Sequence, residues 1–210
     1  MGKYCLRYGA LFKVHRRRND GPFGKYLAGL FHEGKHNIER MNERIKGSNY
    51  DELHHFISES PWAHEPVLAA VGKDISDLFS RRSQVVGPII DESGHRKSGK
   101  KSVGVSRQYL GSIGKTDNGQ VAVFAALAQG DDVGMVEVKL YLPKSWTQDK
   151  KRCEKAGIPQ GEQTFKTKPQ LALEMIHGLE GGVEYDWVGG DSIYGDSAEV
   201  RRGIAALGRK

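Results

Sequence analysis

The stretch "VVGPIIDESGHRKSGKKSVGV", residues 85–105, decides how the rest of the chain is read. Residues 85–90 form a short apolar run of strand length. It ends on two acids, Asp91 and Glu92, and a basic loop carrying His95, Arg96, Lys97, Lys100 and Lys101 follows. Apolar character returns at Val103. A short apolar run bounded by turn residues reads as a buried strand. The strand therefore delivers a carboxylate to its tip, beside a cluster of positive charge.

Downstream, the pattern stays β-rich. "SVGVSRQYLG" (102–111) and "QVAVFAALAQ" (120–129) read as strands. "DVGMVEVKLYLP" (132–143) alternates Val136, Val138, Leu140 and Leu142 against Glu137, Lys139 and Tyr141, and "GDD" (130–132) marks the hairpin before it. "TKPQLALEMIHGLEGG" (167–182) changes period. Thr167 reads as an N-cap, Pro169 sits in the first turn, Leu171, Met175, Ile176 and Leu179 make the apolar stripe, and Gly181 and Gly182 stop the helix. "YDWVGGD" (185–191) is then a last short strand ending at Asp191. Meander strands, a helical crossover and a returning strand predict a mixed α/β sheet. The return strand runs parallel to residues 85–90, because such crossovers are right-handed and bring the chain back beside its start. Asp91 and Asp191 then leave the same sheet edge at the carboxyl ends of neighbouring strands, where α/β sheets place their sites. Two such carboxylates suit a shared hard divalent cation.

Upstream, the sequence reads as helical. Helical spacing runs over "GKYLAGLFHEGKHNIERMNERI" (24–45), with Tyr26, Leu27, Leu30, Phe31, Ile38, Met41 and Ile45 on it and Gly29 and Gly34 weakening its middle. A second helix, "SNYDELHHFISES" (48–60), has Ser48 as its expected N-cap and stops at Pro61. A third is "AHEPVLAAVGKDISDLF" (63–79), and "SRRSQ" (80–84) reads as the linker. The expected division is thus a helical region over 1–83, to which the basic charge described next assigns nucleic-acid binding, and a sheet-based core over 84–210.

The net charge is +6, and it is unevenly placed. Residues 1–50 hold 11 Lys/Arg against 4 Asp/Glu, while the remainder holds 21 against 22. A basic arm beside a near-neutral body points to a polyanion partner, with Arg16, Arg17 and Arg18 as its densest cluster. No apolar run approaches the ~20 residues that span a bilayer. The beginning, "MGKYCLRYGALFKVHRRR", lacks the apolar core and cleavage site of a signal peptide. Two distant cysteines, Cys5 and Cys153, make no disulfide framework. The expected compartment is a reducing cytoplasm.

Four blocks carry a resemblance: "NIERMNERIKGSNYDELHHFISESPWAHEPVL", "IIDESGHRKSGKKSVGVSRQYLGSIGKTDNGQVAVFAAL", "LYLPKSWTQDKKRCEKAGIPQGEQTFKTKPQLALEMI" and "WVGGDSIYG". In this order they resemble a DDE-superfamily endonuclease, the transposase type encoded by bacterial insertion sequences, over roughly residues 16–197. The resemblance implies an RNase H-like core with Asp91 as first catalytic acid and Asp191 as second. It implies Mg²⁺- or Mn²⁺-dependent cutting of double-stranded DNA at transposon ends, followed by attack of the freed 3′-hydroxyl on target DNA. Arg96, Lys97, Lys100 and Lys101 then join Arg16, Arg17 and Arg18 as DNA contacts. Family members often act as dimers on nucleoid DNA, so a homodimer is implied. The family's third acid, a Glu in a Tyr-Arg-Glu-Lys pattern beyond the second Asp, has no counterpart in these 210 residues. The expectation is therefore the amino-terminal part of a transposase with an incomplete core and impaired catalysis, the alternative being a catalytically inactive DNA-binding remnant. The tail "EVRRGIAALGRK" (199–210) departs from the family pattern.

Other features carry blander readings. "HEGKH" (32–36) matches the zinc-peptidase pattern H-E-x-x-H, but Gly34 weakens the helix that pattern needs. His54 and His55 read as helix surface, and Trp62 and Trp187 as core anchors rather than base-stacking rings. Glu92 follows Asp91 along a strand, which turns its side chain to the other face.

Overall fold

The computed structural model describes residues 2–14 and 17–209, with Arg17 as backbone only. The chain forms two compact units, residues 1–70 and 71–210. No helix is long and apolar enough to cross a membrane among the described residues.

In chain order the elements of the first unit are α1 (Gly2–Gly9), the two-residue strands β1 (Lys13–Val14) and β2 (Arg17–Arg18), α2 (Asp20–Leu30), α3 (Ile38–Arg44) and α4 (Tyr50–Ser58); α5 (Glu65–Phe79) crosses into the second. Aromatic rings make much of the first unit's core. Phe12 stacks on Phe23 at 4.1 Å, and Phe56 stacks on Trp62 at 5.7 Å. The Trp62 indole N–H donates to the Phe56 carbonyl at 2.8 Å, so this ring is a core anchor.

The first unit departs from two sequence expectations. The helix expected over residues 24–45 is two helices. Gly34 sits at φ 94°, outside the helical region. Asn37 then restarts the chain as an N-cap by accepting the Arg40 N–H at 2.9 Å. Met41 keeps its apolar role by packing on Gly29, where an added Cβ would come within 2.5 Å of the Met41 Cγ. The cap of α4 is Asn49 rather than Ser48. Asn49 Oδ1 accepts the Asp51 and Glu52 N–H groups at 2.8 and 3.1 Å. The Ser48 hydroxyl instead donates to the Ile45 carbonyl at 2.7 Å, closing the end of α3.

The second unit contains β3 (Gly87–Arg96), β4 (Ser106–Leu110), β5 (Lys115–Gln129), β6 (Asp132–Leu140), α6 (Lys144–Thr147), α7 (Lys150–Lys155), α8 (Lys168–Leu179), β7 (Gly189–Gly190), α9 (Ser192–Gly195) and α10 (Ala198–Ala206). The five strands form one mixed sheet with path β4-β5-β3-β7, and β6 pairs β5. β5 pairs β4 through Lys115–Gly119, then β6 through Ala122–Gln129, and presents its other edge to β3. Gly130, at φ 59°, turns the β5–β6 hairpin as "GDD" suggested. A bulge between Ala125 and Ala126 interrupts the alternation expected along β6. β7 pairs β3 in parallel, Ile89 with Gly189 and Ile90 with Gly190. The architecture is mixed α/β with an RNase H-like sheet.

The core lies on one sheet face. Ile90 of β3 and Val123, Ala125 and Leu127 of β5 meet Leu171, Ala172, Met175 and Ile176 of α8. Thr167 caps α8 in a complete capping box with Gln170. The helix thereby starts in register for its stripe to reach the sheet. The opposite face is open: Ile89, Met135 and Val133 are 39, 49 and 64% exposed. Trp187 lies half-buried against Gly87 and Gly189, so it covers the side of β3 that carries Ile89 rather than the α8 core. The end of the chain also differs from expectation in two ways. The last strand is only two residues long, its approach being held by a pair of bonds between Asp186 and Val86 at 2.7 and 2.9 Å. The tail does not depart from the fold. It forms α10, capped by Ser197, which buries Val200 and packs Ile204 and Leu207 on the core.

Candidate active site and nucleic-acid interface

Asp91 and Asp191 each lie one residue past the paired Ile90 and Gly190. The topology thus brings residues a hundred positions apart to one end of two adjacent parallel strands, which run about 4.8 Å apart. β3 continues through Asp91 to Arg96, while the neighbouring strand ends and Asp191 caps α9. Both carboxylates are exposed. Each has one oxygen engaged by backbone: Asp91 Oδ1 accepts the Glu92 N–H at 2.8 Å, and Asp191 Oδ1 accepts the Ile193 N–H at 3.0 Å. No other hydrogen bond or ion pair reaches either carboxylate among the described residues. Two exposed carboxylates with free oxygens at one sheet edge fit a hard cation such as Mg²⁺, which takes one or two carboxylates and fills its shell with water and phosphate. No cluster of three or more His, Cys, Asp or Glu suited to a metal occurs among the described residues.

Glu92 takes the other face, as strand alternation requires. It sits opposite Val123, on the side of Ile90. Its two oxygens accept from Lys168 Nζ at 2.6 Å and from the Tyr194 hydroxyl at 2.7 Å. Tyr194 is 2% exposed. Burial first, then the hydrogen bond to Glu92 and the charges of Glu92, Asp191 and Asp91, push its hydroxyl far above the ordinary phenol range.

The basic segment is more ordered than a loop. His95 and Arg96 belong to β3. Arg96 Nε pairs with Asp117 at 3.1 Å. The Asn118 side chain holds the Lys97 and Gly99 carbonyls at 2.6 and 2.8 Å, and Arg152 donates to the Lys100 carbonyl at 2.7 Å while stacking on Trp146 at 3.6 Å. The backbone is therefore pinned while the Lys100 and Lys101 side chains stay exposed. The Asp117 carboxyl is held below the usual range, first by the Asn118 N–H, which outweighs the opposing effect of desolvation, then by the charges of Arg96, Lys115 and Arg107. Arg107 lines the same hollow as Arg96, Lys97 and Lys100. The sequence reading missed it because a single arginine in "SRQYLG" marks no cluster; only the pairing of β4 with β5 brings it to the basic edge.

In the first unit, Arg18 pairs with Asp20 at 3.1 Å. Arg16 lies outside the described residues, as does the side chain of Arg17. The zinc-peptidase geometry is absent. Residues 32–36 are not helical, so the two histidines share no helix face, and the His36 ring donates to the His32 carbonyl at 2.6 Å.

These features were compared with known proteins. Residues 8–210 match the family profile of the DDE superfamily endonucleases. The chain belongs to that family. The match runs through the tail, so α10 is part of the family pattern. A probable transposase for insertion sequence element IS701 from Microchaete diplosiphon is 35% identical over 203 residues, covering 94% of this chain and 48% of its own length. The chain thus spans about half of that relative.

Proposed function

We propose that this DDE-family chain takes part in metal-dependent cutting and joining of double-stranded DNA as a transposase, with Asp91 and Asp191 as its metal-holding acids. The observation that carries the reading is the parallel pairing of Ile90 with Gly190, which brings the two acids side by side. The relative's description as a probable transposase supports the DNA substrate. The chemistry a bound Mg²⁺ or Mn²⁺ supplies is charge neutralisation at a phosphodiester and a more acidic attacking water or 3′-hydroxyl. Within that scheme Asp91 and Asp191 fix the position of the reacting phosphate. Arg96, Lys97, Lys100 and Lys101 hold the flanking backbone by charge, with Arg16, Arg17 and Arg18 as further contacts. The protein would act on nucleoid DNA in the cytoplasm, as a homodimer.

Calorimetric titration with Mn²⁺ tests the assignment. Wild type is expected to bind, and Asp91→Asn and Asp191→Asn are each expected to weaken binding at least tenfold. Unchanged affinity in both variants overturns the site. DNA retardation without any Mn²⁺ uptake leaves only the inactive, DNA-binding reading.

A further inference from the structure

Glu92 looks like a spare acid: it follows Asp91 directly, and its side chain is only 18% exposed. The geometry gives it other work. Oε1 accepts from Lys168 at the start of α8, and Oε2 accepts from Tyr194 in α9. Both oxygens therefore already face donors. The two bonds join three elements, β3, α8 and α9. Glu92 is the residue after Asp91, and Tyr194 is three residues after Asp191. The Tyr194–Glu92 bond therefore closes across the same strand pair that carries the two aspartates. Its ends are tightly held. Tyr194 is buried in the core cluster, and an added Cβ at Gly190 would come within 3.2 Å of the Tyr194 Cβ, so α9 lies directly on the end of β7. The two-residue ladder with β3 then ties β7 itself to the sheet.

We propose that Glu92 and Tyr194 are positioning residues: their hydrogen bond, with Lys168 balancing the Glu92 charge, sets the spacing of the Asp91 and Asp191 carboxylates for a divalent cation. The inference rests on the metal-site reading above. The hydroxyl of Tyr194 is the only atom that Tyr194→Phe removes, so the ring still fills the core and the variant folds. Partners that orient ligating groups typically contribute 10- to 100-fold to metal affinity.

The experiment compares Mn²⁺ affinity by calorimetry with the thermal midpoint of the metal-free chain. Tyr194→Phe is expected to weaken Mn²⁺ binding about tenfold. Glu92→Gln keeps an acceptor for Tyr194 and is expected to lose less than Glu92→Ala. Val183→Ala thins the core away from the carboxylates; it is expected to lower the thermal midpoint and leave Mn²⁺ affinity unchanged. If Tyr194→Phe shifts only the thermal midpoint while Asp91→Asn abolishes binding, the clasp is structural and this inference falls alone. If Asp91→Asn also leaves Mn²⁺ affinity unchanged, the metal-site reading falls and takes the inference with it.

Discussion

A Cβ placed on Gly87 would lie 2.2 and 2.4 Å from ring atoms of Trp187 and 2.5 Å from the Trp187 carbonyl oxygen. The ring could turn, but the carbonyl is backbone and cannot give way without moving the approach to β7. Gly87→Ala should therefore cost about 1–3 kcal/mol, read as a lower urea midpoint, and it should also shift Trp187 fluorescence. An unchanged midpoint would show that the approach to β7 is loosely held. Tyr185 is a buried phenol. Burial first, then its hydrogen bond to Glu180, raises its hydroxyl from 10.0 to about 12. The folded pKa lies above the unfolded one. The stability this group contributes is therefore fully present below pH 10 and is lost as pH rises toward about 12. Tyr185→Phe should flatten that alkaline limb of a stability–pH curve. A limb as steep as wild type would remove Tyr185 as its source.

At the scale of elements, the start of α8 is the clearest local device in the chain. Thr167 Oγ1 accepts the Gln170 N–H at 3.3 Å, and Gln170 returns the bond to the Thr167 N–H at 2.9 Å. Thr167→Ala should cost about 1 kcal/mol in urea unfolding, while Thr167→Ser should cost little. Equal losses in both would show that the hydroxyl is not the cause. This cap was legible in the sequence because the bond is local: residues three apart carry both halves of it. So were the stripe of α8 and the β5–β6 turn, marked by periodicity and by Gly, and the parallel return of β7, which follows from the order of elements and the handedness of crossovers. Where two caps stood side by side, local chemistry did not decide: Ser48 and Asn49 both suit an N-cap, and the Ser48 bond to Ile45 settles which is used. The extent of β3 was misjudged too. Residues 95 and 96 look like a basic loop, yet antiparallel pairing with Gln120 and Gly119 draws them into the sheet. The site divides the same way. The edge that brings Asp91 to Asp191 follows from element order, but the Glu92–Tyr194 bond spans 102 residues and leaves no periodic trace.

Across the whole molecule, exposed positive charge is not confined to the segment that holds the surplus. The surplus lies in residues 1–50, yet Arg18 there is paired with Asp20, while Lys100 and Lys101 of the near-neutral remainder stand on a pinned backbone without an ion-pair partner among the described residues. A cation that is already neutralised displaces less from a DNA counterion atmosphere than a free one. The number of phosphates neutralised sets the salt slope of binding, at about 0.9 per contact on duplex DNA. Lys100→Gln with Lys101→Gln should therefore lower the slope of log affinity against log salt by about 2, whereas Arg18→Gln should change it by less than 1. The slope is the right readout because a folding defect lowers the active fraction without altering how the remaining molecules respond to salt. Fluorescence anisotropy of a labelled duplex between low and moderate salt gives it directly. A double variant with the wild-type slope would remove the 97–101 segment from the interface, and a large effect of Arg18→Gln would move the dominant contact to the first unit.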